Sequence, residues 1–354
     1  MEYLITVIFL FLSFLYFSVL DLKWVGLTVT HRVNRRDTMI ISAVTVVFLV
    51  LFVTFRPDTM PDYKSYIDDF KNLDQYRDLS LELGDKTLIN IVHLITPQAI
   101  YVFFVFALIG LPLKIAAIRK MAPFYFLSMA VFVTGILIAQ DMVAIRSAIA
   151  VGFFFWALKY KFENKIWYCV LFSILSILFH YSAVIIFLPL FLFSVNKPYR
   201  VLYGLLIPIS YALVIGGLGI TQFFDLISIE IFQQLWAYYK FTDEEDAYNI
   251  FNLFLLGRCI FYYFILFRID RIKQHYPAAI LLMKIYCLSI VLTILLYESQ
   301  SMAIRVAEFL GSVEIFLIPS ILYSFKRRNL FIGYGLCFIY CSSLLLRYGV
   351  YFFE

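Results

Sequence analysis

The chain has 354 residues, 29 Lys/Arg against 24 Asp/Glu, 63% hydrophobic residues and a mean hydropathy of +0.89, far from the composition of a water-soluble domain. The formal charge of +5 is scattered over short basic segments, which fits orientation in a membrane, and no nucleic-acid partner is expected. Apolar runs near 20 residues recur throughout, without the alternating pattern of a transmembrane β-barrel, so the expected fold class is all-α: a polytopic transmembrane helix bundle.

In chain order the apolar runs predict about twelve membrane helices: 3–20, 38–55, 98–113, 122–139, 143–158, 166–179, 183–194, 201–217, 248–267, 277–297, 302–323 and 330–350. The first has Glu2 before it and its positive charges after it. It therefore reads as a retained span with its N-terminus outside rather than as a cleaved signal peptide. No internal repeat or linker appears, so residues 1–354 are read as a single integral-membrane domain.

Six segments gather 18 of the 29 basic residues and are candidate cytoplasmic loops: Lys23 to Arg36, Lys114 to Lys120, Lys159 to Lys165, Lys197 with Arg200, Arg268 to Lys273, and Lys326 to Arg328. Residues 56–86 carry eight acids against five bases, and 218–247 carry six acids against Lys240 alone. They mark a first external loop, 56–97, and a second, 218–247, each with room for short amphipathic helices. Phe223, Phe224, Trp236, Tyr238 and Tyr239 in the second fit either sugar stacking or an interfacial helix.

The stretch 166–194 is open to two readings. As one helix it would be about 43 Å long, well over the ~30 Å hydrocarbon core. A hairpin turning at Phe179-His180-Tyr181-Ser182 keeps all six basic segments on one side and is preferred, although each arm is short.

Ionisable residues stand where an apolar chain carries them at a cost; an arginine at mid-bilayer costs about 2.5–3.5 kcal/mol on insertion scales. On the twelve-helix map they fall toward the external face. Arg56, Asp58 and Asp62 follow the second helix, Asp141 and Arg146 open the fifth, and His180 caps the hairpin. Glu298, Arg305 and Glu308 straddle the start of the eleventh, and Arg347 nears the end of the last. Such a water-accessible, Arg-rich cleft suits a diphosphate, because guanidinium groups pair with phosphate oxygens and keep their charge on partial burial. Sugar transfer from a lipid diphosphate needs stabilisation of the leaving group and a base, which His180 or Asp62 would supply.

Blander accounts stand beside these. Arg56, next to Pro57, also suits an interfacial anchor, Arg146 an ion pair with Asp141 or Glu308, and His180 a bond to a carbonyl in a broken helix. Arg305 and Glu308 have intrahelical i,i+3 spacing, and Arg347 has a position from which to snorkel. Arg258 and Lys284 have no evident partners in the sequence. The five cysteines all fall in apolar runs, which argues against a disulfide framework, and no Cys/His cluster has metal-site spacing; neither metal nor cofactor is expected.

Three segments together resemble the EpsG family of Wzy-type polysaccharide repeat-unit polymerases. FRPDTMPDYKSYIDDF is similar to its arginine followed by an Asp-Tyr pair and a second tyrosine. QDMVAIRSAIAVGFFFWALKYK followed by ILFHYSAVIIFLPLF resembles its arginine-then-histidine pair, and SMAIRVAEFL its late arginine helix. Pro61 stands where the family often has glycine, so the turn at Asp62 is expected to differ.

The resemblance implies a GT-C-like bundle in the bacterial cytoplasmic membrane, with its active face external, that joins undecaprenyl-diphosphate-linked oligosaccharides into O-antigen, capsule or exopolysaccharide. It implies functional roles for Arg56, Asp62, Arg146, His180 and Arg305; taken with the external cleft, the expected catalytic residues are Arg146, His180, Asp62 and Arg305, and the expected substrate-binding residues Arg56, Asp58, Tyr63, Asp141, Glu298 and Arg347. Membrane lipid and a chain-length regulator protein are the other partners to expect. A flippase of the same lipid-linked sugar and a membrane O-acyltransferase are the alternatives from other classes.

Overall fold

In the computed structural model, residues 2–22, 35–72, 82–219 and 247–353 are described. The second external loop, 218–247, and its aromatic residues therefore lie outside the described residues except at its ends, as do Lys23 and Arg32. The chain is all-helical, with no strand among the described residues. Its contacts divide it into two compact units, residues 1–190 with 318–354, and residues 191–317.

The first unit opens with α1 (Glu2–Leu22) and α2 (Arg35–Thr54). Two short helices follow inside the first acidic loop, α3 (Tyr63–Lys71) and α4 (Leu83–Ile95). Next come α5 (Ile100–Met121) and α6 (Tyr125–Val131), which widens into a π-helix over Phe132–Val143. After a one-residue break at Ala144 come α7 (Ile145–Phe162) and α8 (Ile166–Phe179). A 3-10 helix, Tyr181–Ile186, and a π turn, Leu188–Leu192, lead toward the second unit.

The second unit holds α9 (Arg200–Ile215), α10 (Leu253–His275), α11 (Ala279–Leu295), α12 (Gln300–Gly311) and the single turn α13 (Glu314–Leu317). A 3-10 turn at Pro319–Ser324 and the last helix, α14 (Leu330–Tyr348), return to the first unit.

Among the described residues four segments are long and apolar enough to cross a membrane: Glu2–Val19, Ile100–Met121, Tyr125–Val143 and Arg327–Phe352. The bent pair Gln300–Gly311 with Glu314–Ser324 makes five when read as one span. Shorter apolar helices, at Met39–Thr54, Ile166–Phe179, Tyr181–Leu192, Arg200–Ile215 and Ala279–Leu295, fall below the usual length for a free-standing span. Large apolar side chains such as Trp167, Leu253, Phe267 and Leu346 face outward, as suits a protein solvated by lipid. The chain is thus a multi-pass membrane protein.

Several boundaries differ from the hydropathy reading, and each has an electrostatic or capping cause. Lys114, read as the start of a basic loop, lies within α5 and is fully buried. Its Nζ donates to both carboxylate oxygens of Asp141 at 2.6 Å, which lets an apolar helix run on to Met121. α10 extends through Arg268 and Arg271 because Asp270 pairs with Arg200 at 2.5 Å and Lys273 at 2.8 Å. Asn252 caps α10 through the Leu255 amide, and Ser299 caps α12 through that of Met302. A break does fall at His180, inside the expected turn, where the backbone is extended (φ −158°, ψ 107°).

A compact aromatic and aliphatic cluster joins the short helices to the longer ones. Tyr66 and Phe70 of α3 and Ile89 and Val92 of α4 pack with Val102, Phe103 and Phe106 of α5 and with Ile145 and Ile149 of α7. Burying each such side chain is worth roughly 1.5–3 kcal/mol. α3 and α4 are therefore anchored by their apolar faces. Their polar residues are left to point at the starts and ends of neighbouring helices.

Candidate functional site

Glu82 immediately precedes α4, in the position where a short polar residue would cap the helix, but its side chain caps nothing there. The carboxylate instead reaches two other elements. Oε2 accepts from Nη1 of Arg146 at 3.1 Å, and Oε1 lies 3.3 Å from Nδ1 of His180. Arg146 is the second residue of α7, and His180 follows the last turn of α8. One carboxylate thus joins the start of α4, the start of α7 and the end of α8.

Close approach of α4 to α8 requires the glycine two residues on. A Cβ on Gly84 would lie 2.9 Å from the Leu178 carbonyl oxygen and 2.9 Å from the Phe179 ring. Backbone on one side and a packed ring on the other leave no room for a larger residue. α8 is itself pinned to α7 by Ser176, whose hydroxyl donates to the Ala150 carbonyl at 2.8 Å.

Asp85, one turn into α4, is fully buried, and neither of its carboxylate oxygens has a hydrogen-bond partner. Burial and the neighbouring charge of Glu82 push its pKa up to about 9, so it is a neutral acid at ordinary pH. Burial acts in the same direction on Glu82. There the hydrogen bond with His180 and the positive charge of Arg146 outweigh it and hold the carboxyl down at about 2. Two carboxyls three residues apart are thereby split into one ionised and one protonated.

Tyr66 is buried beneath the same arginine, with the guanidinium carbon 5.6 Å from its ring centroid. Arg56, just past α2, stacks on Phe103 at 4.2 Å and donates to the carbonyls of Met142 at 2.8 Å and Val53 at 3.1 Å. Its Nη2 is buried without a partner. Burial draws its pKa down to about 10, against the opposing pull of Tyr66 and Asp141, and leaves it cationic near neutrality.

The sequence-derived candidates therefore separate. Arg146 and His180 meet on Glu82, and Arg56 and Tyr63 both pack on the ring of Phe103, Tyr63 at 4.9 Å between ring centroids. Asp58 and Asp62 line an open depression of ≈ 520 Å³ with Thr59, Met60, Lys64 and Ser65. Asp62 takes a left-handed backbone (φ 63°, ψ −6°) after Pro61. Asp141 is buried on Lys114, so the anticipated pair of Arg146 with Asp141 is replaced by one with Glu82. Arg347 stands over the ring of Tyr348 at 5.6 Å. Glu298 and Arg305 belong to the second unit, where both are exposed.

Arg258 and Lys284 gain partners in that unit. Arg258 Nη2 donates to Ser289 at 2.8 Å, and Lys284 Nζ donates to the Ser194 carbonyl at 2.6 Å. Among the described residues no three His, Cys, Asp or Glu side chains gather as a metal site, and the five cysteines are buried.

Glu82, Asp85 and Tyr66 are absent from the candidates drawn from the sequence. Glu82 and Asp85 were visible there only as members of an acidic loop. The available signal was local: two carboxylates at i,i+3 around a glycine, at the start of an amphipathic run from Leu83 to Ile95.

A multi-pass helical membrane protein with arginine, histidine and carboxylate side chains gathered at its helix ends is the class these features define. The EpsG family model matches residues 39–352, and the chain belongs to that family, one of Wzy-like polysaccharide polymerases. No curated protein and no solved structure matches the chain.

Proposed function

We propose that this protein is a polysaccharide polymerase, a membrane glycosyltransferase that joins undecaprenyl-diphosphate-linked repeat units on the outer side of the bacterial cytoplasmic membrane. The observation that carries the proposal is the meeting of Arg146 and His180 on one carboxylate, within a chain of the EpsG family. About twelve membrane helices in a GT-C-like arrangement, with the short apolar helices crossing under the cover of their neighbours, complete the picture.

In this scheme the growing chain leaves its lipid diphosphate and passes to the non-reducing end of a new unit. The acceptor hydroxyl oxygen forms a bond to the anomeric carbon as the bond from that carbon to the diphosphate oxygen breaks. Charge develops on the leaving diphosphate, and Arg146 with Arg56 stabilises it. The acceptor proton passes to His180 or to Asp62. Asp58, Tyr63, Asp141 and Arg347 serve substrate binding, and in the second unit, taken by itself, Arg305 is a further catalytic candidate and Glu298 a further binding candidate. A chain-length regulator is the expected protein partner.

The test is the surface polysaccharide of a strain lacking this chain. Loss of long chains, leaving single units on their acceptor, supports polymerisation. Accumulation of lipid-linked units on the cytoplasmic side would assign a flippase, and full-length chains lacking only acyl groups an acyltransferase.

A further inference from the structure

Glu82 occupies the place of a ligand. Its carboxylate is not used to cap α4, and it meets Arg146 and His180 through one oxygen each, as an oxygen of a bound phosphate would. Asp85, one turn away, is completely buried with both oxygens unpartnered, so the pair sits in surroundings that disfavour a second negative charge. We propose that Glu82 is a stand-in counter-ion for the lipid-linked diphosphate: the anion takes Arg146 from it, and the released carboxylate then takes up a proton from water. The inference rests on the diphosphate reading above and adds a proton to it.

The balance is simple. With Arg146 on Glu82, the site holds one cationic guanidinium, one carboxylate and one neutral carboxylic acid. When a diphosphate engages Arg146, Glu82 keeps its burial, its neighbour Asp85 and its contact with His180 but loses one of the two contacts that kept it ionised. One proton from solvent then converts its carboxylate to the acid, and no other bond changes.

Other titratable and charged groups stand around the pair. Tyr66, Asp69 and the preceding Asp62 come from the α3 side, Arg146 from α7 and His180 from α8. α4 itself adds Lys86, next to Asp85 in the chain. Arg146 and His180 among these touch Glu82, and of the two the imidazole is the one able to exchange a proton with it, so a variant that keeps His180 separates the two.

The probe is inorganic pyrophosphate, titrated calorimetrically into the full chain in lipid nanodiscs, in buffers of different ionisation enthalpy. Pyrophosphate carries its own proton equilibria, so the quantity read is the difference between wild type and Glu82→Gln. Wild type is expected to take up about one more proton than the variant, and its affinity to fall up to roughly tenfold per pH unit relative to the variant. Glu82→Gln, with the competing carboxylate removed, binds pyrophosphate roughly tenfold more tightly at neutral pH.

Difference infrared spectroscopy on the wild-type protein gives a second readout that needs no variant: a gain in protonated-carboxyl C=O absorption on adding pyrophosphate. Equal proton uptake in both proteins, or no infrared gain, overturns the stand-in role while leaving the diphosphate site intact. Failure of either protein to bind pyrophosphate removes both.

Discussion

Arg146 Nη1 and Glu82 Oε2 lie 3.1 Å apart although 64 residues separate them in the chain. The contact links the first acidic loop to the start of α7. It makes α4, buried through Ile89 and Val92, the platform on which the site is assembled.

Removal of either arm of the network is expected to stop polymerisation without stopping insertion. Arg146→Ala should lower polymer synthesis by about 10²–10³-fold, the range for loss of one preorganised charge-stabilising donor. His180→Ala is expected to act similarly. Both are read from polysaccharide chain-length profiles, alongside membrane levels of the variant. A normal profile from both would end their catalytic assignment.

Gly84→Ala tests the packing that delivers His180. Its Cβ would meet the Leu178 carbonyl oxygen at 2.9 Å, so α8 must retreat from α4. Overpacking of this kind typically costs about 1–3 kcal/mol. The expected outcome is polymer loss nearing that of His180→Ala, with a lowered melting temperature in detergent. Gly84→Ser should be no better.

Asp85→Asn tests the protonation state inferred for the buried acid. The folded carboxyl holds its proton up to about 9, against 3.8 for the free group. Between these values the folded state binds more protons than the unfolded state, so this group's contribution to stability is present below the lower value and declines as pH rises. The wild-type melting temperature should therefore fall more steeply than that of Asp85→Asn from about pH 5 to about pH 9, with the gap closing at low pH. Glu82 contributes with the opposite sign, and its stabilisation is lost only as pH falls toward about 2. Parallel curves for the two proteins across the range would refute the neutral-acid assignment.

The Lys114–Asp141 pair is a structural prediction. Both side chains are almost entirely buried and meet at 2.6 Å. Lys114→Met or Asp141→Leu alone strands a buried charge, which typically costs about 3–5 kcal/mol. The double substitution should recover much of that loss. Melting of the three purified variants checks it; full additivity of the two single effects would show that the pair is not coupled.

A related test lies in the second unit. A Cβ on Gly311 would come 2.5 Å from Nη2 of Arg258, the atom bonded to Ser289. Gly311→Ala should displace the guanidinium and lower stability, whereas Gly335→Ala, which meets nothing within 4 Å, should not.

The apolar runs alone were sufficient to reveal an all-helical membrane chain, because hydropathy over twenty residues is a local quantity set by composition. The break at His180 and the special positions of Arg56 and Arg146 were also legible, since a charge or an imidazole inside such a run is costly wherever the rest of the chain goes. The partners were not. Asp141 stands five residues before Arg146, and sequence proximity offered it as the counter-ion, but the widened helix at Phe132–Val143 and its abrupt end at Ala144 deliver it to Lys114 instead.

Glu82 and Asp85 looked like ordinary members of a solvated acidic loop until the apolar face of α4 sank against α5 and α7 and carried their carboxyls inward. Which residues stand in lipid-solvated helices was written in local composition; which charge meets which was decided only when separate helices packed. An ion pair depends on distance in space, and in this chain that distance is set by residues far apart in sequence.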